Sequence, residues 1–250
     1  MFATNMYASG VMSRKPSPVS RRDRPAKPAL TRDGIVAAAV RVMSAQGIER
    51  VTMRRLAQEL DTGAASLYVY LRNTAELKAA VLDEMLGAVD LRPGGSPGEW
   101  RDRLAAVLTS YGLVLFQYPT LAQSALVARP SGPNYLKLLD CLLGLLAEGG
   151  VPTDRAAWGV DLLLQFVTAT SAEHSNREQA INAQLADGTL VAALDNLATE
   201  TYPNIAAAGA ELLSGDGRQR LAWGYGVLIT GIARTPRPKS GQVRPRPQET

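Results

Sequence analysis

The sequence predicts an all-α protein with a small N-terminal unit of three helices and a larger helical domain behind it. Apolar residues recur at the three- and four-residue spacing of amphipathic helices. After residue 74, Ala and Leu dominate, and the alternation typical of strands is missing from the sequence. Segments rich in Pro and Gly at 92–97 and 129–133 separate stretches of ordinary helix length.

The first helix is predicted at 31–47. Thr31 is a suitable N-cap, Asp33 places negative charge in the first turn, and Gly47 provides a C-terminal stop. Apolar side chains recur at the spacing of one helix face. They are Ile35, Ala38, Ala39, Val42 and Met43.

A second helix is predicted at 53–60, after the N-cap Thr52, and a third at 64–71. The turn at 61–63 separates them, so the two helices form a helix-turn-helix. The third helix would turn its leucines inward and leave small and hydroxyl-bearing residues available. These are Ala64, Ala65, Ser66, Tyr68 and Tyr70.

This pair of helices suits insertion of the third helix into the major groove of DNA. Arg54 can reach a phosphate or a guanine edge, and Ser66 can donate a hydrogen bond to phosphate. Tyr68 and Tyr70 offer hydroxyls to phosphates and ring faces to thymine methyl groups. The alternative is a helical hairpin with half-buried tyrosines. Because cap, turn, short helix and second cap occur in order, we favour DNA binding.

Residues 35–86 resemble the TetR family of bacterial regulators, most specifically in GIERVTMRRLAQEL and SLYVYLRNTAEL. The family usually has Gly in place of Asp61, and Asp tolerates the left-handed backbone conformation that this turn needs. It often has Lys in place of Thr74, a position expected to contact phosphate. Carried over position by position, the resemblance implies DNA contacts at Arg54, Gly63, Ala64, Ala65, Ser66, Tyr68, Val69, Tyr70 and Thr74.

Charge is distributed unevenly along the chain, whose net charge is +4. Residues 1–30 carry +5, residues 31–73 carry +2 and residues 234–250 carry +4, so residues 74–233 carry −7. DNA would attract the head and both tails and repel the body. The tails are rich in Pro, Ser and Arg, which predicts solvated disorder. The N-terminal tail has a second interpretation, as a basic arm along the DNA.

We therefore predict four segments: a disordered basic tail at 1–29, a helix-turn-helix domain at 30–75, a ligand-binding and dimerisation domain at 76–233, and a second basic tail at 234–250. The first residues lack the features of a secretory signal. The apolar stretches fall short of the roughly 20 residues that cross a bilayer. A single cysteine, Cys141, excludes a disulfide within the chain. We expect a cytoplasmic protein without a membrane partner.

The body is predicted to consist of helices at 74–90, 98–117, 120–128, 134–148, 153–176, 190–199, 204–213 and 216–233. The helices at 153–176 and 216–233 are apolar around nearly the whole circumference, which predicts burial on more than one side. They would suit a homodimer. The segment RLAWGYGVLITGIAR is similar to the closing helix of the subgroup nearest the tetracycline repressor. This resemblance implies that the two helices build a four-helix dimer bundle with those of a second copy. The alternative is two central helices of a monomer. The predicted interface residues are Trp158, Leu162, Val167, Trp223, Val227 and Leu228.

The body also contains candidates for a ligand pocket, in which apolar walls surround a few polar groups. An ordinary core has the same composition, and His174, the only histidine, could equally face solvent or cap a helix. One His, one Cys and scattered carboxylates predict no metal and no other cofactor. The candidate residues are Met85, Trp100, Leu104, Tyr111, Phe116, Gln117, Gln165, Phe166 and His174.

The sequence thus predicts a ligand-responsive transcriptional regulator. It would repress by binding a palindromic DNA operator as a dimer, and a small hydrophobic effector would release it. One alternative is a DNA-binding regulator controlled by a protein partner. The other is an α-helical enzyme, which is disfavoured because the sequence contains neither a Gly-rich phosphate loop nor a nucleophile elbow, and no catalytic residue is predicted.

Overall fold

The computed structural model describes residues 29–118, 122–123, 125–126, 130–179 and 191–238, and these residues form helices and no strands. The all-α prediction is confirmed. None of the helices in these ranges is both long enough and apolar enough to cross a membrane. The helices are α1 (Arg32–Gln46), α2 (Met53–Glu59), α3 (Ala64–Tyr68), α4 (Thr74–Leu86), α5 (Trp100–Gln117), α6 (Pro133–Glu148), α7 (Thr153–Gln179), α8 (Pro203–Ala208) and α9 (Gly217–Arg234).

Local signals set the ends of the first helices. Thr31 caps α1 by accepting a hydrogen bond from the Gly34 amide at 3.0 Å, and Thr52 caps α2 in the same way. Asp61 lies in the turn after α2 with a φ of 46°, the left-handed conformation expected there. The core of this head consists of fully buried side chains from all three helices and the segments beside them. They include Ile35, Ile48, Leu56, Leu67 and Leu71.

Helix α4 begins where the sequence predicts but ends at Leu86, four residues before the predicted end at 90. After the end of α4, Asp90 forms hydrogen bonds through both its side chain and its backbone amide. Its carboxylate binds the guanidinium of Arg92 at 2.8 Å, which holds the pKa of Asp90 down at about 2. Its amide donates to the Ser110 hydroxyl at 2.7 Å. A 3₁₀ turn at Arg92–Gly95 then leads toward α5.

Helix α5 is the centre of the body and packs against α6, α7 and α9. Val167 of α7 is fully buried in this core, where a Cβ placed on Gly112 of α5 would lie 3.3 Å from its Cγ1 atom. The prediction that Val167 contacts a partner subunit is therefore wrong, because the side chain has no exposed surface. Both sides of this helix are apolar, and the sequence does not distinguish the inner side from the outer one.

Two predicted helices differ in the structure. The segment predicted at 190–199 is helical only over residues 191–195 of the part described, and the Asn196 side chain bonds back to the Ala192 carbonyl at its end. The helix predicted at 204–213 divides into α8 and a 3₁₀ turn, because Gly209 takes a φ of 51°. Most of the helix predicted at 120–128, and the tails at 1–28 and 239–250, lie outside the described residues.

A close approach of α7 and α9 yields a prediction about stability. A Cβ on Gly159 would lie 2.6 Å from Ile232 Cγ2, whereas a Cβ on Gly144, in α6, meets no atom within 4 Å. We expect Gly159→Ala to lower the free energy of unfolding by about 1–3 kcal/mol through overpacking. Gly144→Ala should raise it by up to about 1 kcal/mol through helix propensity. Urea denaturation measures both, and equal effects would contradict the close helix contact.

Candidate nucleic-acid interface and ligand cavity

The predicted DNA-contact residues lie at the surface of the head. Leu67 and Leu71 are fully buried and anchor α3, while Tyr68 is 50 % exposed and Val69 is 80 % exposed. Ala64 and Thr74 are half-buried, and the other predicted contact residues are exposed. The outer side of α3 and its following turn therefore presents two tyrosine rings and small side chains to solvent. This surface is exposed, as a groove-binding helix must be.

Arg54 is a basic side chain beside this surface. It lines a shallow depression together with Asp61, Gly63 and Ala64, so it lies next to the start of α3. Within the part of the chain that the structure describes, Arg54 forms no ion pair, whereas the neighbouring Arg55 binds Glu59 at 3.0 Å. The charge of Arg54 is thus available to an anionic partner such as a DNA phosphate.

The junction between α3 and α4 is fixed by side chains that do not face the groove. Asn73 caps α4 by accepting from the Glu76 amide at 2.8 Å, and the Glu76 carboxylate accepts from the Arg72 amide at 2.8 Å. Lys78 of α4 lies 3.9 Å from Glu49, in the segment between α1 and α2. These contacts hold α4 against the head, so the orientation of α4 sets the orientation of α3.

A cavity of about 360 Å³ lies between α5, α6 and α7. It brings together Tyr111 and Gln165, two of the residues predicted to line a pocket. The Tyr111 hydroxyl is 2.8 Å from the Thr168 hydroxyl, and burial raises the pKa of Tyr111 to about 12, so the phenol stays protonated at neutral pH. The sequence analysis missed Pro130, Tyr135 and Thr168 in this wall. The turn before α6, rich in Pro and Gly, was the available signal.

The structure places the other predicted pocket residues elsewhere. Phe166 lines a separate groove of about 950 Å³ between α7 and α9, with Trp223 and Arg220. Trp100 packs against Gly149 and lies 4.4 Å from the Arg101 guanidinium. Met85 and Leu104 are buried, Phe116 is half-buried, and Gln117 is exposed at the end of α5. The side chain of His174 lies outside the described part of the structure.

An apolar stripe runs along the outer sides of α7 and α9. Trp158 is 56 % exposed, Trp223 is 74 % exposed, and Leu162 and Val227 are also exposed, while Leu228 is half-buried. The Arg237 guanidinium lies 4.3 Å from the centre of the Trp158 ring. Exposed apolar residues that continue across two adjacent helices are typical of a protein–protein contact surface.

Both the head and the body of the chain match known protein families. Residues 35–81 match the family described as bacterial regulatory proteins, tetR family. Residues 93–235 match the tetracyclin repressor-like C-terminal domain, which covers the cavity and the exposed apolar stripe.

Individual relatives agree with this match. An HTH-type transcriptional regulator of Saccharopolyspora erythraea is 30 % identical over 236 residues, which are 93 % of this chain and 95 % of the relative. The HTH-type transcriptional repressor DrrR1 of Streptomyces coeruleorubidus is 30 % identical over 84 % of this chain and 82 % of its own length. The crystal structure of Streptomyces coelicolor ActR in complex with actinorhodin has a TM-score of 0.74 and 34 % identity, covering 82 % of this chain and 96 % of ActR.

The exposed surface of the head predicts which substitutions weaken DNA binding. Arg54→Ala and Tyr70→Ala should each weaken binding to a preferred duplex by about 1–3 kcal/mol. Arg101→Ala is the matched control, because it removes an arginine that lies over the Trp100 ring in the body. Fluorescence anisotropy on DNA selected from a random pool by the wild-type protein measures all three. If the head variants bind as tightly as the control, this assignment of contacts is wrong.

Proposed function

This chain belongs to the TetR family of bacterial transcriptional regulators, and we propose that it is a homodimeric repressor released from an inverted-repeat operator by a small molecule. The observation that carries the proposal is the outward-facing surface at Tyr68–Tyr70, held in place by the fully buried Leu67 and Leu71. Exposed tyrosine rings at this position add little to the packing of the head, and they are available to contact DNA. We expect the protein to act in the cytoplasm, where its DNA target lies.

Dimerisation follows from the requirements of the operator. A single short helix such as α3 reads few base pairs, and two-fold related half-sites lie about 34–36 Å apart or at multiples of that spacing. The exposed stripe of Trp158, Leu162, Trp223 and Val227 offers a self-complementary surface of the kind that isologous dimers use. A second copy packed on this stripe would cover the apolar side chains and fix the distance between the two heads.

The charges support the same arrangement. The head carries +2 and the body segment 74–233 carries −7, so electrostatic attraction orients the head toward the phosphates. Salt would weaken this attraction, as it does for protein–DNA contacts in general. The body then faces away from the duplex and is available to respond to a ligand.

The cavity between α5, α6 and α7 is our proposed effector site. Two tyrosines, Leu164 and Pro130 provide apolar walls, while Thr168, Gln165 and Asp161 provide polar groups, and the Gln165 side-chain amide donates a hydrogen bond to the Asp161 carboxylate. At about 360 Å³ it is near the lower end of the size range of small-molecule pockets. These features favour a small, mainly apolar effector with hydrogen-bonding groups. ActR, a relative of similar fold, has been crystallised with actinorhodin and with (S)-DNPA, which supports a small-molecule role for this domain.

Release would occur through a shift in population between two arrangements of the heads. Helix α4 connects head and body, so a body conformation that tilts α4 changes the spacing of the heads. An effector that binds this conformation more tightly than the DNA-binding one shifts the population toward it. The difference between the two affinities sets the size of the shift. Several kcal/mol of preference are needed for decisive release.

The proposal is tested by combining a ligand screen with an operator assay. DNA bound by the protein in genomic fragments should contain an inverted repeat. Small apolar compounds and, as a separate probe, actinorhodin are then screened for an increase in melting temperature. We expect an effector to raise the melting temperature and also to weaken operator binding in anisotropy titrations, because it binds the released conformation more tightly. Stabilisation of the protein with unchanged operator affinity would contradict effector control and favour regulation by a protein partner.

The dimer has its own test. Trp223→Arg should convert the protein from dimer to monomer at micromolar concentration in light-scattering measurements, because it places a charge in the centre of the proposed interface. Leu113→Arg is the control, since Leu113 is similarly exposed but lies on α5. We expect the control to remain dimeric. A wild-type protein that is already monomeric at that concentration would exclude this interface.

A further inference from the structure

We propose that Asp83 is a positioning residue that transmits the state of the cavity to the DNA-binding head. This inference rests on the proposed function, since it concerns how an effector would act on DNA binding. Asp83 lies near the end of α4 and is only 7 % exposed, although it is a carboxylate. Hydrogen bonds to the carboxylate compensate for its removal from water, and they connect α4 to the start of α6.

The contact has well-defined geometry. Asp83 Oδ1 accepts a hydrogen bond from the Tyr135 amide at 2.9 Å, and Oδ2 accepts a longer one from the Asn134 amide at 3.4 Å. In return, the Asn134 side-chain amide donates to the Asp83 backbone carbonyl at 3.0 Å. We call Asp83 and residues 132–135 the latch. It joins the helix that orients the head to a helix of the ligand-binding body.

The latch supplies a cap that α6 lacks. The N-cap position of α6 is Gly132, which has no side chain with which to bind the first amides of the helix. The Asp83 carboxylate takes this role from another helix, and its negative charge is stabilised by the positive end of the helix dipole. The approach is very close, because a Cβ on Gly132 would lie 2.2 Å from Asp83 Oδ2. A glycine at this position therefore permits the latch.

The segment that Asp83 holds on one side lines the cavity on the other. Pro130 and Tyr135 belong to the cavity wall, together with Tyr111 and Thr168. The amide of Tyr135 binds Asp83 while its side chain faces the cavity. An occupant that presses on Tyr135 would act on the first turn of α6, which carries the amide that binds Asp83.

Helix α4 carries a movement at its Asp83 end to the head. It is 13 residues long, or about 20 Å, and packs on α1 as well as on α5 and α6. Its other end is fixed to the head by the cap at Asn73 and by Lys78 beside Glu49. A small movement at the Asp83 end therefore becomes a rotation of the head. This is a physical connection through one rigid element and one hydrogen-bonded joint.

The test uses a substitution that fills the cavity in place of an effector. Thr168 is buried in the cavity wall, so Thr168→Phe should place a ring in the space that an effector would occupy. Thr168→Val is the reference, since it removes the same hydroxyl without adding a ring. Each is made with Asp83 intact and with Asp83→Ala, and operator affinity is measured for all four proteins as dimers.

With Asp83 intact, we expect Thr168→Phe to weaken operator binding about tenfold relative to Thr168→Val. With Asp83→Ala the same ratio should fall below about threefold, because the filled cavity then acts on α4 only through the packing of α4 on α5 and α6. Asp83→Asn keeps one acceptor oxygen and should restore most of the ratio. Amide hydrogen exchange of Tyr135 should be faster in Asp83→Ala than in the wild type, which reports loss of the latch itself.

A second variant keeps the test independent of the stability of Asp83→Ala. Gly132→Ala leaves Asp83 in place but should push its carboxylate aside, and Gly132 has a φ of −83° that alanine adopts without strain. It should reduce the ratio of Thr168→Phe to Thr168→Val as Asp83→Ala does.

Equal ratios with and without the latch would overturn the inference, as would a ratio near one with the latch intact. A wild-type protein that binds no inverted repeat would instead refute the proposed function and, with it, the basis of the latch. If the ratios are equal but the wild type binds DNA and responds to a compound, the inference about Asp83 is wrong and the proposed function is unaffected. The two failures are therefore distinguishable.

Discussion

The continuous helix α4 is the constraint on which the arrangement of this protein depends. It packs on α1 at one end and on α5 and α6 along the rest, so it contributes to the cores of both head and body. Its buried residues lie on several sides of the helix, because four of them are consecutive in the sequence. They are Leu77, Ala80, Val81, Leu82, Asp83, Met85 and Leu86. Head and body cannot tilt separately unless this shared packing changes, and that makes the head sensitive to the body.

The head could be predicted almost completely from the sequence, because its boundaries depend on local interactions. Thr31 and Thr52 cap their helices with their own side chains, and Asp61 adopts the left-handed turn conformation that its short polar side chain tolerates. Such signals involve residues three or four apart and need no knowledge of the rest of the fold. Exposure of Tyr68 followed from the same helix periodicity, whereas Tyr70 is exposed in the turn after α3, because this helix ends at Tyr68 and not at the predicted residue 71.

The body was harder to predict because its decisive contacts join distant parts of the chain. The Asp90 amide after α4 donates to Ser110, which lies 20 residues later, and the cavity joins Tyr111 to Pro130 and Tyr135, which lie 19 and 24 residues later. The faces of α7 show the limit most clearly. Val167 and Trp158 are both apolar on one helix, yet the first is fully buried against α5 and the second is exposed. Only the packed structure distinguishes these two sides.

The paired hydroxyls of Tyr111 and Thr168 can both donate and accept hydrogen bonds in the cavity. Either oxygen can be the donor in their 2.8 Å hydrogen bond, and a hydroxyl hydrogen reorients without movement of any heavy atom. The pair can therefore donate a hydrogen bond to a ligand with a carbonyl group, or accept one from a ligand with a hydrogen-bond donor. Chemically different molecules can thus form a hydrogen bond at the same position of the cavity.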